Sequence, residues 1–73
     1  MKVVHTFEKN SFDEVWAYLQ PFRGNDLAHI RVFTLADDEM RPKKQGIAIN
    51  VRDLPKLAEA VAALVAAVEA RTS

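Results

Sequence analysis

Five consecutive residues, Arg41-Pro42-Lys43-Lys44-Gln45, carry three cations and no acid. Such a run suits a polyanion, because charge-assisted hydrogen bonds to phosphate oxygens are about twice as strong as neutral ones. Pro42 stiffens the segment and lowers the entropy lost when its neighbours are ordered on a ligand. A second feature lies upstream. Phe22 and Arg23 set a ring beside a cation, and Gly24-Asn25-Asp26 follows as a strong turn signal. Cations for the backbone and aromatic faces for the bases are what single-stranded nucleic acid binds. A charge run alone is more often a solvated face, so this chemistry needs support from the rest of the chain.

Other chemistries lack their residues. There is no Gly-x-Ser-x-Gly elbow, no phosphate-binding glycine loop and no His-Glu-x-x-His. With no cysteine, disulfides and thiolate metal sites are excluded, and His5 and His29 have no partner cluster for zinc. Asp37, Asp38 and Glu39 are adjacent acids in a solvated turn, a weak basis for a divalent-cation site. His29 fits a sheet-face residue with a local hydrogen bond better than a general base. The expectation is binding without catalysis, with no metal and no cofactor.

Seventy-three residues make one domain, 1–73, and a chain of this size is marginal alone because it buries only about 60% of its unfolded surface. Association with a second copy is the remaining way to enlarge the core. Ten basic and ten acidic residues cancel, which gives no support to nucleic-acid binding, but their distribution is uneven. Arg41 to Arg52 contains four cations and no acid. Met1 to Thr6 lacks the apolar run of a signal peptide, and Ala60 to Val68 is too short to span a bilayer. No membrane association is expected. Cysteine absence is compatible with a cytoplasmic protein, nucleoid-associated if bacterial.

Four strands and one helix must position these residues. Val3, His5 and Phe7 alternate with Val4, Thr6 and Glu8, which predicts a strand over about 2–8. Asp13 to Phe22 is ambiguous. Ser11 with Glu14 could cap a helix, but Val15, Ala17 and Leu19 alternating with Trp16 and Tyr18 favour a strand that ends before Pro21. Ala28 to Leu35 is a third strand, with Ala28, Ile30, Val32 and Thr34 on one face and His29, Arg31, Phe33 and Leu35 on the other. Asp37 to Glu39 forms a turn, Arg41 to Gln45 a basic loop, and Ile47 to Ile49 a short strand. Gly46 marks a special backbone angle or a close approach. From about Arg52 to Ala70, Leu54, Leu57, Val61, Leu64 and Val68 recur at spacings of three and four, widened by Ala58 and Val65. That predicts one long helix, capped by Asn50 or Asp53, covering a sheet face and mediating a dimer. The fold class is α+β: a four-stranded antiparallel meander followed by a C-terminal helix.

The run from Phe22 to Leu57 resembles the single-stranded-DNA-binding domain of the transcriptional coactivator positive cofactor four. The matching features, in order, are Phe22-Arg23-Gly24, Ile30-Arg31, Asp37 to Glu39, Met40 to Gln45 and Gly46-Ile47-Ala48-Ile49-Asn50. The region holding Trp16 and Tyr18 is similar to compact bacterial members. The resemblance implies an obligate homodimer whose curved sheets bind single-stranded DNA and whose helices meet at the interface. It implies Phe22 as a stacking ring, with Arg23, Arg31, Arg41 and Lys44 as basic contacts. Departures are Thr34, where the eukaryotic family has tryptophan, Asn25 and Gln45, where it has lysines, and Leu54, where an aromatic is common.

Together these readings give nucleic-acid contacts at Phe22, Arg23, Asn25, Arg31, Arg41, Lys43 and Lys44, with Trp16 or Tyr18 replacing the ring lost at Thr34. Leu54, Leu57, Val61, Leu64 and Val68 would form the dimer interface. The expected partners are single-stranded DNA or RNA, a second copy and the transcription machinery. The competing reading is a dimerisation or protein-interaction module of the same fold with reduced nucleic-acid affinity.

Overall fold

The computed structural model describes residues 1–72. Strands β1 (Lys2–Glu8), β2 (Asp13–Leu19), β3 (Leu27–Ala36) and β4 (Glu39–Asn50) form one antiparallel sheet in the order β1-β2-β3-β4. A 3-10 turn (Val51–Asp53) leads into helix α1 (Leu54–Thr72). This is the expected meander followed by a helix. The ambiguous second segment is a strand, so Ser11 caps no helix, and Asn10 supplies the turn chemistry before it. The Asn10 Oδ1 accepts from the Phe12 N–H at 3.0 Å and the Asp13 N–H at 2.9 Å.

The acidic turn is tighter than expected. Asp37 (φ 52°) and Asp38 (φ 64°) are both left-handed, and Ala36 pairs directly with Glu39. Two consecutive positive φ angles match the right-handed twist of the flanking strands, and aspartate tolerates them through local side-chain hydrogen bonding. Glu39 therefore belongs to β4.

The basic stretch is not a loop: β4 runs through it without a break. Lysine and proline are poor residues for a central strand, but β4 is an edge, where both are tolerated and discourage pairing with other chains. The ladder accommodates them through a bulge. Arg31 pairs with Gly46 and Phe33 with Pro42, so Lys43, Lys44 and Gln45 lie opposite Val32 alone. Gly46, at φ 152°, permits this crossing; a Cβ there would stand 2.5 Å from the Ile30 carbonyl oxygen and 2.8 Å from the Arg31 Cα.

Helix α1 does not cover its own sheet, contrary to the expectation. Its start is held by the Asn50 Oδ1, which accepts from the Arg52 N–H at 3.0 Å, and by the Val51 N–H, which donates to the Asp26 carbonyl at 3.1 Å. From there the helix projects away. Leu54 and Leu57 are half-buried, whereas Val61, Leu64, Val65 and Val68 are between 47% and 66% exposed. The buried core of one chain consists of Tyr18, Ala28 and Phe33 alone among the described residues. A second apolar surface is open too: Val15, Ala17, Ile30, Val32 and Ile47 share the other side of the sheet from Phe33, and Ile30 and Ile47 are exposed.

Candidate nucleic-acid interface

Cross-strand register sorts the candidate residues between the two faces. Trp16 lies opposite Arg31, Tyr18 opposite His29 and Glu14 opposite Phe33, so all six share one face. The rings pack tightly. Trp16 stacks on Phe33 with centroids 4.0 Å apart, Tyr18 stacks on His29 at 4.7 Å, and Tyr18 meets Phe33 edge-on at 6.0 Å. The Trp16 Nε1–H donates to the Glu14 Oε1 at 2.9 Å, and the His29 Nε2–H donates to the Gln20 carbonyl at 3.1 Å. Tyr18 is buried and is a core residue here, not an open surface for a base. Trp16 is half-buried, with one face of its indole already covered.

The cations of β4 differ in how free they are. Asp13, Thr34 and Arg41 align on the opposite face. There Lys43 Nζ stands 3.6 Å from Asp13 Oδ2, and Arg41 Nη2 donates to Glu39 Oε2 at 3.2 Å. The Arg41 pair is exposed, contributes at most about 1 kcal/mol, and can yield to a phosphate. Lys44 has no side-chain partner among the described residues. Arg31 is not a free cation. Its Nη1 donates to the carbonyls of Lys43 at 3.1 Å and Lys44 at 3.3 Å. It therefore ties β3 to the bulge and positions the lysines, its half-buried guanidinium shared between two backbone carbonyls.

Asp13 anchors this corner. Hydrogen bonds from Thr34 and Asn10, together with the Lys43 and Lys9 charges, hold its carboxyl below the ordinary carboxylate value. A lowered folded-state pKa stabilises the fold above the unfolded value, and this contribution disappears as pH falls through the folded value. Asp13→Asn is therefore expected to melt below the parent at neutral pH, with the gap narrowing in acid below the ordinary carboxylate range. Melting curves at neutral and acid pH check this; an equal gap at both would show that the charge contributes nothing.

The Phe22 turn is closed by reciprocal backbone bonds, Phe22 N–H to Asn25 carbonyl at 2.9 Å and Asn25 N–H to Phe22 carbonyl at 3.0 Å. Arg23 (φ 53°) and Gly24 (φ 79°) are both left-handed between them. Asn25 thus serves the turn through its backbone. Phe22 is 58% exposed, with the Arg23 guanidinium carbon 5.1 Å from its ring centroid. Beside it is an open cleft of about 240 Å³ lined by Gln20, Pro21, Phe22, Leu27, His29 and Ala48. Ala48 belongs to β4, so the cleft sets the Phe22 turn against the edge strand. Lys44 is four residues along that strand, a span of about 13 Å.

The structure thus sets the Phe22–Arg23 turn against Ala48 of β4, with Lys44 and Arg41 farther along that strand and Arg41 on the opposite face. Trp16, Tyr18 and Arg31 lie inside a face, and Lys43 turns to Asp13. Sequence reasoning missed the Trp16–Phe33 stack and the Asp13–Lys43 pair. Both are cross-strand contacts whose only sequence signal was the alternation pattern. Among the described residues no three histidines or acids gather to hold a metal ion, and no helix is long and apolar enough to cross a membrane.

A family model described as transcriptional coactivator p15 (PC4) matches residues 16–60. No curated protein matches. Among solved structures, a PC4 homologue from Burkholderia pseudomallei superposes with a TM-score of 0.78 at 21% identity, covering 90% of this chain and 96% of that one. A bacteriophage T5 homologue of the eukaryotic coactivator PC4, implicated in recombination-dependent DNA replication, gives 0.74 at 22% identity, with 93% and 80% coverage. A protein named MoSub1, solved in complex with single-stranded DNA, gives 0.63 at 26% identity, also with 93% and 80% coverage.

Proposed function

The chain belongs to the transcriptional coactivator p15 (PC4) family, and from that membership we propose that it is a homodimeric, sequence-tolerant single-stranded-DNA-binding protein. It would act in transcription or DNA metabolism in the cytoplasm, by binding rather than catalysis. The carrying observation is the edge of β4, where the Phe22–Arg23 turn closes a cleft against Ala48 and the bulge beyond it holds Lys44, which has no side-chain partner among the described residues. A strand lying along this edge meets a ring at one end and phosphate-binding cations at the other. MoSub1, similar in fold over 93% of this chain, is solved with single-stranded DNA and supports the reading.

The mechanism follows from the side chains. Lys44, Arg23 and Arg41 displace counterions from phosphates, with Arg41 exchanging Glu39 for the ligand. Phe22 offers its ring to a base, a contact worth about 1–3 kcal/mol. Arg31 acts indirectly by holding the Lys43 and Lys44 carbonyls. Lys43 engages DNA only by leaving Asp13. With three or four phosphates neutralised, log affinity for fluorescent oligo-dT should fall with log salt at a slope of roughly −2 to −3. Lys44→Ala should reduce that slope by about 0.7 while leaving assembly intact. Absence of saturable binding at low salt would sink the reading.

The helices and the aliphatic sheet face carry the dimer. Both are apolar, both are open in one chain, and a second copy brings the same pair of surfaces to meet them.

A further inference from the structure

The end of the sheet away from the helix has a different character from the β4 edge. Here the β1–β2 and β3–β4 turns lie side by side, tied by the Leu35 N–H donating to the Phe12 carbonyl at 2.9 Å. Phe12 stands at this tip 67% exposed, and Leu35 beside it is 48% exposed. They flank a cavity of about 130 Å³ whose other walls include Met40, Glu8 and Glu14.

Three observations make this more than a stray apolar residue. First, the loop carrying Phe12 is rigid: the Asn10 side chain accepts from both Phe12 and Asp13, and the Phe12 carbonyl is bonded to β3. An exposed ring on a pre-ordered loop loses little entropy when it is covered. Second, Glu8 and Glu14 lie directly opposite one another across β1 and β2. Like charges so placed destabilise the sheet unless a cation comes between them. Third, the neutral net charge conceals a separation. Six of the ten acids, Glu8, Asp13, Glu14, Asp37, Asp38 and Glu39, belong to this end, against three of the ten bases, Lys9, Arg41 and Lys43. Lys43 and Arg41 are already paired there, to Asp13 and Glu39.

We infer that this tip is a docking surface for a basic protein segment that inserts one bulky apolar side chain between Phe12 and Leu35. Its cations lie against Glu8, Glu14 and the acidic β3–β4 turn. Nucleic acid is the wrong ligand here, because the carboxylates repel phosphate. The charge separation gives the chain two ends of opposite preference: a polyanion on the β4 edge and a cationic polypeptide at the tip.

The probe is a fluorescein-labelled twelve-residue peptide of lysine and arginine with one central phenylalanine, followed by anisotropy at moderate salt. A control peptide has serine at that centre. The parent should bind the first peptide at least tenfold more tightly than the second. Phe12→Ser should remove that preference, Glu8→Gln should weaken both peptides, and Lys56→Ala, on the helix at the other end of the sheet, should leave both affinities unchanged. Phe12 is exposed, so its substitution leaves the fold intact, as circular dichroism will show. Equal affinity for the two peptides, or unchanged binding by Phe12→Ser, would overturn the proposal. So would self-association beyond a dimer that is lost in both Phe12→Ser and Phe22→Ala, since the occupant would then be the Phe22–Arg23 turn of another copy.

Discussion

Gly46→Ala is expected to destabilise the protein by about 3 kcal/mol and to uncouple the β4 cations from the sheet. The added methyl group would stand 2.5 Å from the Ile30 carbonyl oxygen and 2.8 Å from the Arg31 Cα, both backbone atoms with no rotamer to change. The positive φ of 152° adds backbone strain. The strand must therefore shift away from β3 just where Arg31 holds the bulge. Freed of their tie, the Lys43 and Lys44 carbonyls no longer fix the side chains. Two measurements follow: a urea titration, in which the midpoint should fall clearly, and an oligo-dT titration, in which affinity should drop by at least tenfold at a concentration where the variant is still folded. A variant with the parent's midpoint would show that β4 can relax away from β3 without cost, and that the held bulge is not a feature of the molecule in solution.

Leu64→Glu is expected to abolish the dimer. In one chain this side chain is 66% exposed, the highest value on the helix stripe, so truncating it costs the isolated monomer little. A dimer seam brings Leu64 of both copies into an apolar setting, and two carboxylates introduced there must be desolvated without partners. Self-affinity should fall by at least a thousandfold, about 4 kcal/mol. The helix should suffer with it. Most helical stability in proteins comes from packing an apolar face, and these nineteen residues have no buried side chain within one chain. Sedimentation should find the parent at about twice 8.2 kDa and the variant at one chain's mass with reduced helical ellipticity. A parent that sediments as a folded monomer at micromolar concentration would refute the dimer itself. Lys56→Ala, on the exposed side of the first turn and paired with Asp53 at 3.7 Å, serves as the neutral control.

Several elements were legible because their signal is periodic. Val15, Ala17 and Leu19 alternate with Trp16 and Tyr18, and the observed strand places them on opposite faces accordingly. Leu54, Leu57, Val61, Leu64 and Val68 recur at helical spacing and lie in one helix. Gly46 announced a close approach, and the backbone of β3 makes one. His29 was expected to hold a sheet face with a local hydrogen bond, and it bonds the Gln20 carbonyl while stacking on Tyr18.

The basic stretch has the local composition of a loop and is a strand for a physical reason. Proline and lysine have low strand propensity, but an edge strand has an unpaired side on which they do no harm. Whether a segment lies at an edge depends on strand order, which no local window contains. Likewise Arg31 has the composition of a ligand contact. Its task is set by the carbonyls of Lys43 and Lys44, twelve and thirteen residues away in the chain.

The sequence by itself determined the order of strands and helix and the family, because periodicity and turn chemistry are local and the ordered motif set survives as a linear pattern. Tertiary structure decided which cations are available. Register across β2, β3 and β4 puts Lys43 on Asp13 and Arg31 on backbone carbonyls, and leaves Lys44 without a side-chain partner among the described residues. It also decided that the helix turns its apolar stripe away from its own sheet. Burial and charge pairing belong to neighbours in space, and in a meander of antiparallel strands those neighbours are set by pairing rather than by position along the chain.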